Sequence, residues 1–258
     1  MLGAIAGDVI GSVYEGVPTK SIDFPLFEVQ SRFTDDTVLT VATAWAILRG
    51  RPFETAYREF GRRYPRAGYG PGFRDWLHAS DPKPYNSFGN GSAMRVSPIG
   101  LAYDDLERTL AEAKLSAVVS HDHPEGVKGA QAVAASVFLA RSGASKEMIR
   151  KSVSARFGYD LESSTDEIRP SYGFDVSCQG SVPEAIVAFL ESTSVEHAIR
   201  LAISLGGDSD TQGAIAGGIA QAYYRAIPPR IVEVVRQRLP GEFLEVIDEF
   251  SERYPLDR

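Results

Sequence analysis

The chain has 258 residues, of which 43% are hydrophobic and 24% are charged, an ordinary composition for a globular protein. Its net charge of −7 argues against nucleic acid or an anionic membrane as the main partner. Cys178 is the one cysteine, so no disulfide can form within the chain, and we expect a cytoplasmic protein. No stretch resembles a signal peptide or reaches the ~18 uncharged apolar residues that a membrane helix needs.

Helical periodicity dominates the sequence, and no convincing run of alternating strand pattern interrupts it. We predict helices over 35–50, 52–64, 104–120, 125–143, 145–158, 182–193, 194–207, 210–226, 229–239 and 241–254. Two stretches rich in Gly, Pro, Tyr and Ser, 64–100 and 158–181, are expected to be long ordered loops. The fold class is therefore all-α, and we expect a compact orthogonal bundle of helices. No linker divides the chain, so residues 1–258 are expected to form a single domain.

Two segments dense in small residues begin with the same tetrapeptide. They are "GAIAGDVIGSVYEG" from residue 3 and "GAIAGGIAQAYY" from residue 213. Glycine inside a helix costs roughly 1 kcal/mol against alanine, and close approach of two helix backbones would compensate for it. We therefore expect these two helices to cross tightly in the centre of the protein, the alternative being an accidental similarity. Glu15 stands at the end of the first segment, where a solvated helix end is its simplest interpretation.

The stretch "FTDDTVLT", residues 33–40, places Asp35 and Asp36 between Thr34 and Thr37, before an apolar helix. A helix cap explains one polar residue here, with Thr34 or Asp35 accepting a backbone N–H. Two adjacent carboxylates repel each other, so the pair also suggests a site for positive charge.

The stretch "GGDSDTQG", residues 206–213, repeats this design with Asp208, Asp210 and Thr211 before the second small-residue helix. A cap is again the simpler alternative. If the central helices cross closely, however, four aspartates converge, and buried carboxylates must be protonated or bound to cations. Oxygen ligands without His or Cys favour Mg²⁺, Mn²⁺ or Ca²⁺ over zinc. Two bridging ions would neutralise the four charges.

Two further motifs offer groups that could bind a ligand. "SFGNGSAMR", residues 87–95, is a loop of small residues of the kind that can cradle phosphate oxygens, although a surface turn is an alternative. "SHDHPEG", residues 120–126, contains His121 and His123, whose spacing is not a zinc signature. Asp122 or His123 could simply cap the helix that follows Pro124.

Taken together, four blocks resemble the ADP-ribosylglycohydrolase family, which includes dinitrogenase reductase-activating glycohydrolase. In order they are "GAIAGDVIGSVYEG", "FTDDTVLT", "GNGSAMRVSPIGL" and "GGDSDTQGAIAGGIAQAYY", and they run from residue 3 to residue 224. The combination is specific, although no single block is. The resemblance implies a compact all-α fold with a binuclear Mg²⁺ or Mn²⁺ centre. It also implies removal of ADP-ribose from modified side chains or small molecules.

The resemblance also implies roles for individual residues. The implied metal ligands are Thr34, Asp35, Asp36, Asp208, Asp210 and Thr211, and the implied loop along the ribose and phosphates is Ser87, Phe88, Gly89, Asn90 and Gly91. His121 stands where some members have a histidine near the pyrophosphate, and Glu15 matches an acidic residue beside the scissile bond. Members differ at Phe88 and around residues 121–125.

These implications fit glycosidic-bond cleavage, which passes through an oxocarbenium-like state and needs a carboxylate acid or base. Glu15 or Asp36 is expected to supply that carboxylate, and the sequence does not separate them. We expect a monomer acting on an ADP-ribosylated protein or small molecule. Two alternatives remain open: a metal-dependent hydrolase of another nucleotide-like N-glycoside, and a non-catalytic ADP-ribose-binding or structural protein, since the family includes a lens crystallin.

Overall fold

The computed structural model describes residues 1–256, and this part of the chain contains α-helices and no β-strand. In chain order the helices are α1 Leu2–Gly11, α2 Asp35–Arg49, α3 Phe53–Arg63, α4 Pro71–His78, α5 Ser97–Ala102, α6 Leu106–Val118, α7 Pro124–Arg141, α8 Lys146–Phe157, α9 Thr165–Ile168, α10 Cys178–Glu191, α11 Val195–Ser204, α12 Ser209–Tyr224, α13 Pro229–Gln237 and α14 Gly241–Arg253. The all-α prediction is confirmed. Every predicted helix is present, and Gly50 ends α2 in the left-handed conformation.

The two predicted long loops are partly wrong. The stretch 64–100 contains α4, the start of α5 and a single 3₁₀ turn at Asn90–Ser92. Two of its prolines, Pro71 and Pro98, lie in the first turns of α4 and α5, where proline favours a helix. The stretch 158–181 contains α9, which begins with a capping box between Ser164 and Glu167. It also contains the start of α10, which begins at Cys178 rather than at residue 182.

The two small-residue helices, α1 and α12, cross in the centre of the fold as predicted. They run antiparallel, so that Gly3 faces Gly217 and Gly7 faces Gly213. A Cβ atom added to Gly7 would stand only 1.9 Å from the carbonyl oxygen of Gly213. No side chain larger than hydrogen fits between the backbones at this point.

This register determines which ends of the helices meet. A Cβ atom on Gly11 would lie 2.3 Å from the carbonyl oxygen of Ser209, so the last turn of α1 lies against the first turn of α12. Helices α7, α10 and α11 pack around the other sides of α12. Among residues 1–256, no helix combines the length and the apolar character needed to cross a membrane.

Candidate metal centre and substrate pocket

A cavity of about 430 Å³ is lined by the first turns of α2 and α12 and by Glu15, which follows α1. This volume lies in the usual range for ligand pockets. The structure brings all but one of the predicted site residues to its wall: Glu15, Thr34, Asp35, Asp36, Ser87, Gly89, Asn90, Gly91, His121, Asp208, Asp210 and Thr211. The exception is Phe88.

Asp8 on α1 organises the start of α2 and was not predicted to be a site residue. The side chain is fully buried. Its Oδ2 accepts hydrogen bonds from the backbone N–H groups of Thr34 (2.9 Å) and Thr37 (3.0 Å), and from the Thr37 hydroxyl. Its Oδ1 accepts from the Thr34 hydroxyl at 2.7 Å. One acidic residue inside an otherwise apolar helix is the signal that could have identified it, because a buried carboxylate needs such partners.

The first turn of α2 is both a helix cap and part of the pocket wall. Thr34 is the N-cap, and its hydroxyl accepts from the backbone N–H of Asp36 at 3.3 Å. The Asp36 side chain is buried, and its Oδ1 has no hydrogen-bond partner. The Thr211 hydroxyl donates to Asp36 Oδ2 at 3.4 Å, which links α2 to α12. Asp35 is partly buried, and its backbone N–H donates to Ala67.

At the start of α12, the Asp208 side chain does not cap the helix, contrary to the simpler alternative. This residue occupies the N-cap position, but its side chain makes no capping hydrogen bond. Its Oδ2 instead accepts from the Asn90 amide at 2.7 Å, so the loop with the 3₁₀ turn is tied to α12. Asp210 Oδ1 accepts from the backbone N–H of Thr211 at 2.8 Å.

The carboxylates form two groups that share one residue. Oxygen atoms of Asp8, Asp36 and Asp210 lie within 4.8 Å of one another, and so do oxygen atoms of Glu15, Asp208 and Asp210. At such separations two ionised carboxylates repel by a few kcal/mol at an effective dielectric constant of ~20. Burial, followed by the charge of Asp210, raises the pKa of Asp8 to about 7.

The same two causes raise the pKa values of Asp35, Asp36 and Asp208 well above their usual range. The acidic cluster therefore needs protons or cations. Its donors are carboxylate and hydroxyl oxygens, and Asp36 Oδ1 lies buried without a partner. This donor set fits hard divalent ions such as Mg²⁺ and Mn²⁺.

Glu15 lies at the pocket mouth, four residues beyond the end of α1 at Gly11, so its predicted place at the end of the helix is wrong. The residue is exposed, yet a carboxylate oxygen lies within 4.8 Å of carboxylate oxygens of Asp208 and Asp210. Partial burial, followed by the charge of Asp210, raises the pKa of Glu15, and Arg32 opposes the increase. A solvated helix end without neighbours does not describe this position.

The loop 87–91 is held to the start of α10 along one wall of the pocket. The backbone N–H of Asn90 donates to Val176 at 2.7 Å, and that of Cys178 donates to Phe88 at 2.8 Å. The Phe88 ring is exposed and packs edge-on against His123 with the ring centroids 5.3 Å apart. His123 caps α7, as one alternative predicted, by accepting from the backbone N–H of Glu125 at 3.1 Å.

His121 lies behind this loop. It is buried, and its Nδ1 lies 2.7 Å from the Ser120 hydroxyl. Burial and the nearby charge of Arg95 lower the pKa of His121 well below its usual value, so the imidazole is neutral. Phe73, Tyr85 and Arg95 also line the pocket and were not predicted to do so. Arg95 is the last residue of the motif at 87–95, which was predicted to bind a ligand. No sequence pattern indicated that Phe73 or Tyr85 would line a pocket.

Comparisons with known proteins identify the family of the chain. The sequence profile of the ADP-ribosylglycohydrolase family matches residues 1–257. ADP-ribosylhydrolase ARH3 of Mus musculus is 30% identical over 305 residues, which cover 87% of this chain and 82% of that protein. ADP-ribosylarginine hydrolase Tri1 of Pseudomonas putida is 27% identical over 276 residues, covering 91% and 72%. A solved structure described as an ADP-ribosylglycohydrolase-related protein complex superposes with a TM-score of 0.76 at 27% identity, covering 98% of this chain and 95% of that one.

Proposed function

Since the chain belongs to the ADP-ribosylglycohydrolase family of glycosidic-bond hydrolases, we propose that it is a metal-dependent ADP-ribosylhydrolase. It would cleave the bond between ADP-ribose and an arginine side chain, a serine side chain or a small acceptor, and release ADP-ribose. The observation that carries this proposal is the acidic cluster at the pocket. Two groups of carboxylates share Asp210, and their pocket is bordered by the loop 87–91.

We propose that the cluster binds two Mg²⁺ or Mn²⁺ ions. The proposed ligands are Thr34, Asp35, Asp36, Asp208, Asp210 and Thr211, all of which line the pocket. When bound, the ions would neutralise the carboxylates and supply Lewis acidity beside the sugar. Asp8 would hold the Thr34–Thr37 turn in place rather than bind an ion, because hydrogen bonds already occupy both of its oxygens.

Glu15 is our choice for the general acid or base. Asp36 is buried among other carboxylates, whereas Glu15 lies at the pocket mouth, where it can exchange protons with solvent. Its raised pKa favours a protonated carboxyl group, which can donate to the leaving atom as the oxocarbenium-like state develops. The Ser87, Gly89, Asn90 and Gly91 backbone and His121 would border the ribose and phosphates. Phe88 would contact only a part of the substrate outside the pocket.

We also propose that the protein acts as a monomer. The test is to incubate the protein with arginine-linked and serine-linked ADP-ribosylated peptides and to measure released ADP-ribose by chromatography. Parallel reactions contain Mg²⁺, Mn²⁺ or a chelator, and activity is expected only with metal. Folded protein that binds ADP-ribose but releases none from any substrate would be a binding protein instead. Release of a different base or sugar would identify another N-glycoside hydrolase.

A further inference from the structure

Arg95 is a fully buried cation without an acidic partner in the part of the chain that the structure describes. Its guanidinium lies 4.2 Å from the centre of the Tyr57 ring, a favourable cation–π distance. Nη2 donates to the Ser116 carbonyl oxygen at 2.7 Å and to the Ser120 hydroxyl at 3.2 Å. Nε and Nη1 make no hydrogen bond. A buried charge of this kind is costly, which suggests a role beyond packing.

The Ser120 hydroxyl connects Arg95 to His121. Within residues 1–256 the hydroxyl has two side-chain neighbours at hydrogen-bond distance, Arg95 Nη2 and His121 Nδ1. A guanidinium can only donate, so the Ser120 oxygen accepts from Arg95. The hydroxyl proton then has His121 Nδ1 as its acceptor. A proton on Nδ1 would instead leave the buried hydroxyl without an acceptor, which costs free energy.

With Nδ1 accepting, a neutral His121 carries its proton on Nε2. This nitrogen faces the loop 87–91, since a Cβ atom added to Gly91 would lie 3.2 Å from it and one added to Gly89 would lie 3.6 Å away. Glycine at both positions leaves the Nε2–H free to meet a ligand in the pocket. The tautomer therefore decides whether this wall presents a hydrogen-bond donor or an acceptor.

We propose that Arg95 and Ser120 are positioning residues that hold His121 as an Nε2–H donor to a phosphate oxygen of the bound ligand. The proposal rests on the proposed function, because ADP-ribose is the ligand that brings a pyrophosphate to this pocket. The acidic cluster repels phosphate, whereas the wall formed by Arg95 and His121 attracts it. Arg32, the other cation in the lining, is exposed and acts on Glu15.

The first test measures the tautomer directly in ligand-free protein. Long-range nitrogen–proton NMR distinguishes the protonated ring nitrogen, and the chain has only four histidines to assign. Wild-type His121 is expected to show a protonated Nε2 and an unprotonated Nδ1, and Ser120→Ala is expected to give a mixture. Ser116→Ala is the matched control. Its hydroxyl contacts Tyr57 at 2.6 Å and not His121, so the tautomer should not change.

The second test measures binding. Ser120→Ala should weaken ADP-ribose binding by the reciprocal of the fraction of His121 that keeps its proton on Nε2, which is about twofold for an equal mixture of tautomers. Binding of adenosine, which lacks phosphate, should stay unchanged in an NMR titration. His121→Gln carries an amide donor whatever the tautomer, so adding Ser120→Ala to it should have no further effect.

Three results would show that Arg95 and Ser120 do not set the His121 tautomer. They are a wild-type His121 with its proton on Nδ1, an unchanged tautomer in Ser120→Ala, and additive effects in the double variant. Equal losses for ADP-ribose and adenosine would overturn the phosphate contact. Failure of the wild type to bind ADP-ribose would refute the proposed function instead. The tautomer measurement would then decide by itself whether Arg95 and Ser120 position His121.

Discussion

Replacing Gly7 with alanine should separate the two central helices and disable the pocket. The added Cβ atom would stand 1.9 Å from the Gly213 carbonyl oxygen, whereas ordinary van der Waals contact begins near 3.4 Å. The obstacle is backbone on both sides, so no side chain can rotate away. The helices must therefore move apart by about 1.5 Å, which we expect to destabilise the fold by at least ~3 kcal/mol. That is a large fraction of the ~5–15 kcal/mol that stabilises a typical protein.

The assay is urea denaturation of metal-free protein, followed by calorimetry of Mn²⁺ binding. The shift moves Asp8 and the last turn of α1 away from Asp210, so Mn²⁺ affinity should fall together with the free energy of unfolding. Gly241→Ala is the control, since an added Cβ atom there meets nothing within 4 Å at the start of α14. It should change the free energy of unfolding by no more than ~1 kcal/mol. Equal unfolding free energies and Mn²⁺ affinities in the two variants would refute the close crossing.

Four further predictions concern the candidate site. A chelator should lower the melting temperature, and Mg²⁺ or Mn²⁺ at a hundredfold excess over Kd should restore about 2.7 kcal/mol; an unchanged melting temperature in metal-free protein would argue against the site. Asp36→Asn and Asp208→Asn should each abolish turnover and keep a helical circular dichroism spectrum, whereas Asp105→Asn, at the cap of α6, should stay active because Asn caps as well as Asp. Glu15→Gln should lower kcat by ~10² to 10⁴ with ADP-ribose affinity nearly unchanged in calorimetry, and wild-type kinetics would exclude it from catalysis. Burial raises the pKa of Asp8 from 3.8 to about 7, so the metal-free folded state keeps a proton that the unfolded state releases. The free energy of unfolding of the metal-free protein should therefore fall as the pH rises from about 4 to about 7. Urea denaturation at several pH values measures this, and a rise over the same range would contradict the burial of Asp8.

The central part of the site could be predicted because it follows from repeated local patterns. The Gly-rich segments indicated a helix crossing, and the crossing brought together the two Asp-rich starts of α2 and α12. Asp8 was missed because a single acid in an apolar helix gives no repeat, and its four hydrogen bonds come from residues far along the chain. Helix α9 was not predicted, although it begins with a capping box, because the Gly, Pro, Tyr and Ser content of residues 158–181 favoured a loop. Tyr85 lines the pocket through tertiary packing, which no local pattern encodes.

The contact between α1 and α12 also determines when the enzyme can become active during its synthesis. The two helices are far apart in the chain, at Leu2–Gly11 and Ser209–Tyr224. A ribosome adding ~5–20 residues per second needs ~10–40 s to reach the second helix after the first. Throughout that time the glycine face of α1 has no partner, and Asp208 and Asp210 do not yet exist. A nascent chain therefore cannot assemble the acidic cluster until α12 has been synthesised.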